Sequence, residues 1–207
     1  KEKGYLSQQE ESYLIACLIE AVSKIANIGA IYDGYFKFWE KRSHQPLTLV
    51  HPQFSPNASD NQAYQHLVEE WIIQPEIQGD VAYIDPPYGS RSYASRYHLL
   101  ETIARYDEPE IKGKVGVRID VANKKSIFGL KKTSYDSFDF LLKHIQAKNI
   151  ILSYSSDGVL SQEEIATLMK THGKPETFVQ KEIPYKAFQN KYAVKKQVNE
   201  FLFFVQK

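Results

Sequence analysis

Val81-Ala82-Tyr83-Ile84 is a continuous apolar run with no polar alternation, halted at once by Asp85-Pro86-Pro87. A strand with one wet face alternates, so an unbroken run is the pattern of a strand covered on both faces, hence of a parallel central strand in an α/β sheet. Asn149 to Tyr154 repeats the pattern. Thr177 to Pro184 and Glu200 to Gln206 read as two late strands that close the chain as a hairpin. Between the strands, a helix from about Ser134 shares Phe138, Leu141, Leu142 and Ile145 on one face, and Ser161 with Glu164 forms a capping box for another helix, followed by Gly173. Strand, helix, strand, helix, strand, strand is half of an α/β sheet.

The part before this sheet reads as helical. Ser7 and Glu10 are spaced as a capping box, and Leu14, Cys17, Leu18, Ala21, Val22 and Ile25 line one face until Asn27 and Gly29 end the helix. Ile31 to Trp39 holds Tyr32, Tyr35, Phe36, Phe38 and Trp39, either a second packed helix or an aromatic surface, with packing preferred. Gln45 to Asn57 is a connection. A further helix is expected from Asp60, with Ala63, Tyr64, Leu67, Val68 and Trp71 as its stripe, and a helical stretch from Tyr97 to Tyr106 precedes a loop rich in Gly and Lys. The expected division is a helical region, 1–58, related to target recognition, and a catalytic α/β half-domain, 59–207. With 207 residues, 43% apolar and 25% charged, the chain is neither disordered nor collagenous, and the single Cys17 excludes an internal disulfide. No apolar window reaches about 18 residues, so neither a membrane span nor a signal peptide is expected, and the protein reads as soluble and cytoplasmic. The chain starts with lysine, which suggests a longer product.

In open α/β sheets ligands sit beyond the carboxyl ends of the strands, and Asp85 stands there. Pro86 and Pro87 fix φ and remove two backbone donors, leaving a rigid ledge of acceptors beside the flat ring of Tyr88. Such a ledge suits a planar heterocycle with an exocyclic amino group, stacked on the ring while its N–H groups point at the Asp85 carboxylate and the Pro86 carbonyl. Adenine meets that description.

Asp85-Pro86-Pro87-Tyr88 resembles the catalytic motif of the N6-adenine DNA methyltransferases of the Dam-like, type II restriction–modification class. The similarity continues through Arg91-Ser92-Tyr93 and Tyr97-His98-Leu99-Leu100-Glu101, and extends to Ile25-Ala26-Asn27, Leu152-Ser153-Tyr154, Asp157-Gly158 and Glu200-Phe201-Leu202-Phe203. Two departures stand out. Gly89 follows the tyrosine where the family often has asparagine, and the family's early cofactor-binding Phe-Gly pair has no counterpart in its place, since Phe128-Gly129 lies in the lysine-rich loop. The chain therefore resembles the C-terminal part of such an enzyme, with a Rossmann-like methyltransferase sheet that is partial, its parallel strands ending in an antiparallel hairpin.

The resemblance implies S-adenosyl-L-methionine as methyl donor and double-stranded DNA as partner, with a missing N-terminal half or a partner chain. It makes Asp85, Pro86, Pro87 and Tyr88 catalytic, places Asp60 and Asp85 near the cofactor, and has Arg91, Tyr93, Tyr97 and His98 handle DNA or the flipped base. Asp60 is also a good N-cap, and His98 has no second ligand at a metal spacing, so no metal is expected. From Lys112 to Lys132 seven basic residues, Lys112, Lys114, Arg118, Lys124, Lys125, Lys131 and Lys132, face one acid, Asp120, a net of +6 that the overall +1 hides. Beside a base-handling loop that run is expected to contact phosphates. Lys181, Lys186, Lys191, Lys195 and Lys196 border Tyr185 and Phe188, where the family's late aromatic motif resembles a wall of the base pocket. The alternative to a methyltransferase is a non-catalytic DNA-binding or partner-binding fragment of a split methylase.

Overall fold

The computed structural model describes residues 5–29, 31–32, 34–53, 61–74, 77–90, 92–121, 124–185 and 198–207. In chain order its elements are α1 (Gln8–Ile25), α2 (Val68–Trp71), β1 (Gln78–Ile84), α3 (Tyr93–Arg96), α4 (His98–Arg105), β2 (Ile111–Lys112), β3 (Val117–Arg118), α5 (Ser134–His144), β4 (Gln146–Ser155), α6 (Gln162–His172), β5 (Val179–Tyr185) and β6 (Val198–Gln206). Both expected capping boxes form. The Ser7 and Ser161 hydroxyls accept from the N–H groups of Glu10 and Glu164 at 3.3 and 3.2 Å, and the two glutamates accept from the serine N–H groups at 2.7 Å. No helix among the described residues is long and apolar enough to cross a membrane.

The chain divides into two compact units, residues 1–63 with 92–124 and residues 64–91 with 125–207. A single break near residue 58 is therefore not what the contacts show: the 92–124 stretch belongs with the N-terminal region. In the first unit α1 buries Cys17 and Ala21, and α4 packs against it. Tyr106, in the left-handed region at φ 50°, ends α4. The lysine-rich stretch, expected as a loop, contains the β2–β3 hairpin, whose turn needs the positive φ of Gly113 (73°) and Gly116 (66°). Ile31 to Trp39 is not a packed helix in its described part. Tyr32 is buried, while Tyr35, Phe38 and Trp39 are exposed.

The second unit carries a four-stranded sheet of order β1-β4-β6-β5. β1 and β4 are parallel, Ile84 standing beside Leu152, and β6 runs antiparallel to both β4 and β5. One face is covered by α5 and α6: Ile84, Ile150, Leu152, Tyr154, Phe201, Phe203 and Val205 pack with Phe138, Leu141, Leu142, Ile165, Leu168 and Met169. Burying such side chains is worth about 1.5–3 kcal/mol each, which fixes the register, because a one-residue slip would turn them all out. β1 is parallel as expected but is neither central nor covered twice. Among the described residues it is the edge of the sheet, and its alternate residues Val81 and Tyr83 are 56% and 62% exposed.

The helix expected from Asp60 shrinks to the single turn α2. Residues 61–67 are not helical, and Tyr64 and Leu67 are exposed. No core takes up the stripe there, and spacing alone does not hold a short helix.

Candidate active site

Asp85 follows β1 directly, at the carboxyl end of the parallel pair. Its side chain is exposed, Pro86 is buried, and Pro87 and Tyr88 are half-buried, so the turn is wedged into the fold with its carboxylate outside. Three contacts within the second unit hold it. The Val159 N–H donates to the Tyr88 carbonyl at 3.0 Å. The Tyr88 ring meets Tyr154 edge to face, centroids 6.0 Å apart. Behind the turn passes the 3-10 turn Ile127–Gly129, and a Cβ on Gly129 would lie 2.2 Å from the Gly89 carbonyl oxygen. Gly129 is glycine because two backbones meet there.

Tyr154 anchors this support. It is fully buried, stacks edge to face on Phe138 as well, and its hydroxyl accepts from the Leu160 N–H at 3.2 Å. Burial raises its phenol pKa, so the group stays a neutral phenol.

A cavity of about 690 Å³ runs along β1 from Gln78 to Pro87. Its floor is apolar, with Ile72, Phe128, Leu141 and Ile145, and its rim carries Asp85 and Lys125. The cavity wall ends at Pro87, and the ring of Tyr88 is turned onto Tyr154 instead.

The strand ends bring two further carboxylates to the carboxyl end of the parallel pair, outside the cavity lining. Glu200 stands opposite Ser155 in the β4–β6 register, and the Ser155 hydroxyl donates to Asp157 at 2.7 Å. Burial first, and then the charges of Asp157 and Asp85, raise the Glu200 pKa, against a hydrogen bond with Ser155 that lowers it. Glu200 read in the sequence as one polar residue opening an apolar strand. Only the antiparallel return of β6 brings it toward Asp85.

Of the expected DNA contacts, Tyr93, Tyr97, Lys112, Lys114, Arg118 and Lys124 belong to the first unit with His98, and Lys125 to the second. Tyr93 and Tyr97 are exposed, their rings 6.1 Å apart, and the four lysines are exposed. His98 is buried. Arg118 requires a correction. It is also buried, its guanidinium bonded to both oxygens of Asp107 at 2.5 and 2.7 Å and to both of Asp120 at 3.0 Å, so it is spent on its own carboxylates rather than offered to a phosphate. A charge count along the run could not see Asp107, which lies before it. Asp60, Arg91, Lys186, Phe188, Lys191, Lys195 and Lys196 lie outside the described residues, and Tyr185 is described only by its place at the end of β5.

A family profile described as D12 class N6 adenine-specific DNA methyltransferase matches residues 5–168. The chain belongs to that family. It is 40% identical over its whole length to the type II methyltransferase M.FokI of Planomicrobium okeanokoites, covering 32% of that protein. It is 36% identical to the modification methylase StsI of Streptococcus sanguinis, covering 31% of it. With the type II methyltransferase M.NlaIII of Neisseria lactamica it shares 32% identity over 84% of this chain and 51% of the relative. The chain thus spans about a third of the length of the first two relatives. No solved structure matches it.

Proposed function

We propose that this D12-family chain is the adenine-handling part of a restriction–modification enzyme that methylates N6 of an adenine extruded from double-stranded DNA. The observation that carries the reading is the placement of Asp85: exposed, at the end of a parallel strand, on the rim of a cavity, and held by a buried proline on a braced turn. The N6 lone pair is delocalised into the purine ring and is a poor nucleophile. Acceptance of the two N6–H bonds by the Asp85 carboxylate and the Pro86 carbonyl favours a pyramidal nitrogen whose lone pair is free to attack. Asp85 orients N6 and accepts its hydrogen bond; the bonding pair of the broken methyl–sulfur bond would stay with the donor's sulfur, and once N6 is methylated its surplus proton passes through the Asp85 carboxylate to water. Extruding the base costs roughly a few kcal/mol of unstacking, and Tyr88, its ring edge to face on Tyr154, braces the turn that receives it.

The residues present fit S-adenosylmethionine as donor. The cavity lies in the size range of cofactor sites, and Asp85 puts a negative charge at its rim, as a cationic sulfonium requires. Asp85 and the adjoining cavity wall would hold it. When bound, it supplies an electrophilic methyl group.

The rest of the donor site belongs, in this proposal, to chain beyond this segment. Among the described residues β1 has an unpaired edge, the apolar cavity runs along it, and the apolar side chains of Val81 and Tyr83 lie bare. A further strand beside β1 would pair its free edge, and a helix connected to it and packed on the bare face would make β1 the doubly covered strand that its sequence describes.

The test is transfer of tritiated methyl groups to duplex DNA by the complete protein, with N6-methyladenine as the product sought. Asp85→Ala is expected to lower the rate by about 10²- to 10³-fold, the cost of losing one placed hydrogen-bonding group, while DNA binding persists. A variant retaining the full rate would remove Asp85 from the chemistry. Absence of transfer by the wild type, with DNA binding intact, would favour the binding-module alternative.

A further inference from the structure

We propose that Tyr154 is a positioning residue for methyl transfer, a buried template on which the connection from β4 to α6 and the Asp85–Tyr88 turn are both shaped. This rests on the reading of Asp85 as the group that orients the adenine. It assigns Tyr154, with Gly158 as its counterpart, to the rate of the reaction although both stand behind the turn rather than in it.

Tyr154 lies on the β4 face that packs against α5 and α6, wholly buried and opposite Phe201 of β6. Its ring meets two others edge to face, Tyr88 of the turn at 6.0 Å and Phe138 of α5 at 5.7 Å. After β4 the chain wraps back over the same ring. The Gly158 N–H donates to the Ser155 carbonyl at 3.0 Å, and a Cβ on Gly158 would lie 2.4, 2.7 and 2.9 Å from the Cε1, Cζ and hydroxyl oxygen of Tyr154. The ring, buried between Phe138 and Tyr88, has nowhere to retreat, so position 158 admits glycine alone.

The two residues that follow divide their contacts between template and turn. The Leu160 N–H donates to the Tyr154 hydroxyl at 3.2 Å, and the Val159 N–H donates to the Tyr88 carbonyl at 3.0 Å. Val159 is thus held from both sides by Tyr154, through the close approach of Gly158 to the ring and through the bond from Leu160 to the hydroxyl. The donor that fixes the end of the turn takes its place from one side chain. The prolines set φ within the turn, but they do not set how the turn sits against the sheet. The Asp85 carboxylate and the Pro86 carbonyl serve N6 only if they already point at it, because acceptors fixed in advance need no reorganisation during the reaction.

The experiment measures single-turnover methyl transfer by the complete protein at saturating duplex and S-adenosylmethionine, beside the stoichiometry of DNA binding, which counts the folded molecules. Tyr154→Phe keeps the ring and gives up the hydroxyl. It is expected to slow transfer by about 3- to 10-fold, with the stoichiometry and both half-saturation concentrations unchanged. Gly158→Ala and Tyr154→Leu should each slow it on the order of 100-fold. Leucine ends short of the ring atoms that a methyl at position 158 would meet, so the Tyr154→Leu/Gly158→Ala double variant should be no slower than Tyr154→Leu alone. Losses that multiply in the double variant would overturn the positioning role. So would wild-type rates in both Tyr154→Phe and Gly158→Ala while Asp85→Ala remains slow, a result that leaves the reading of Asp85 standing. Full rate in Asp85→Ala would overturn both.

Discussion

Three residues show how much a residue's neighbours decide. Glycine at position 129 reads as a loop residue, yet its missing Cβ is what lets two backbones touch behind the candidate catalytic turn. Gly129→Ala is expected to push the Asp85–Gly89 loop outward. A displacement near 1 Å costs on the order of 100-fold in rate, to be read as kcat in the methyl-transfer assay. Glu200 gives a pH prediction. Its folded pKa is raised, so the native state favours the protonated carboxyl. The stability this confers is complete below the unfolded glutamate pKa, about 4.3, and is lost as pH rises through the folded value. Glu200→Gln should therefore raise the thermal midpoint at pH 7 to 8 and leave it unchanged below about pH 4, a comparison that calorimetry at the two pH values makes directly. Arg118 shows the opposite sign. Its hydrogen bonds, followed by its charge, lower the pKa of Asp107 and Asp120. That stabilisation is present above the ordinary carboxylate range and disappears as pH falls through the folded values.

Elements are held by side chains far away in sequence. The Arg118 guanidinium ties β3 to Asp107, beyond the end of α4, and reaches Thr102 within that helix at 3.3 Å. Lysine offers one ammonium where two carboxylates need a planar fork, so Arg118→Lys should behave like Arg118→Ala in thermal unfolding. Equal midpoints for Arg118→Lys and the wild type would remove the fork from the account. At the other end of the chain the Lys207 ammonium donates to the carbonyls of Leu142, Lys143 and Ile145 at 2.7, 2.9 and 2.7 Å, closing the C-terminal turn of α5. Lys207→Met is expected to cost about 1 kcal/mol, measurable by urea denaturation. The capping boxes of α1 and α6 and the apolar face of α5 were legible because their partners lie three or four residues away. The β2–β3 hairpin was not: two residues per strand give no periodicity, and only Gly113 and Gly116 marked its turn.

At the scale of the whole molecule, the described residues of the second unit form an α/β sheet with α5 and α6 on one face and the parallel strand β1 unpaired at one edge. If a further strand adds to β1 in the complete protein, the β1 amides that do not bond β4 should be protected from hydrogen exchange there. Rapid exchange at those amides would leave β1 as an edge.

The sequence by itself determined the four strands of the sheet, the two helices with capping boxes, the position of Asp85 at a strand's end and the motif that identifies the family, because each is a local pattern of apolar spacing, capping or rigid backbone. Tertiary structure alone decided which strand is the edge, that Arg118 is consumed by its own carboxylates, that Glu200 returns to Asp85, and that the rings of Phe38 and Trp39 face outward. Those outcomes depend on which surfaces meet, and a periodic pattern records that a face is apolar without recording what, if anything, covers it.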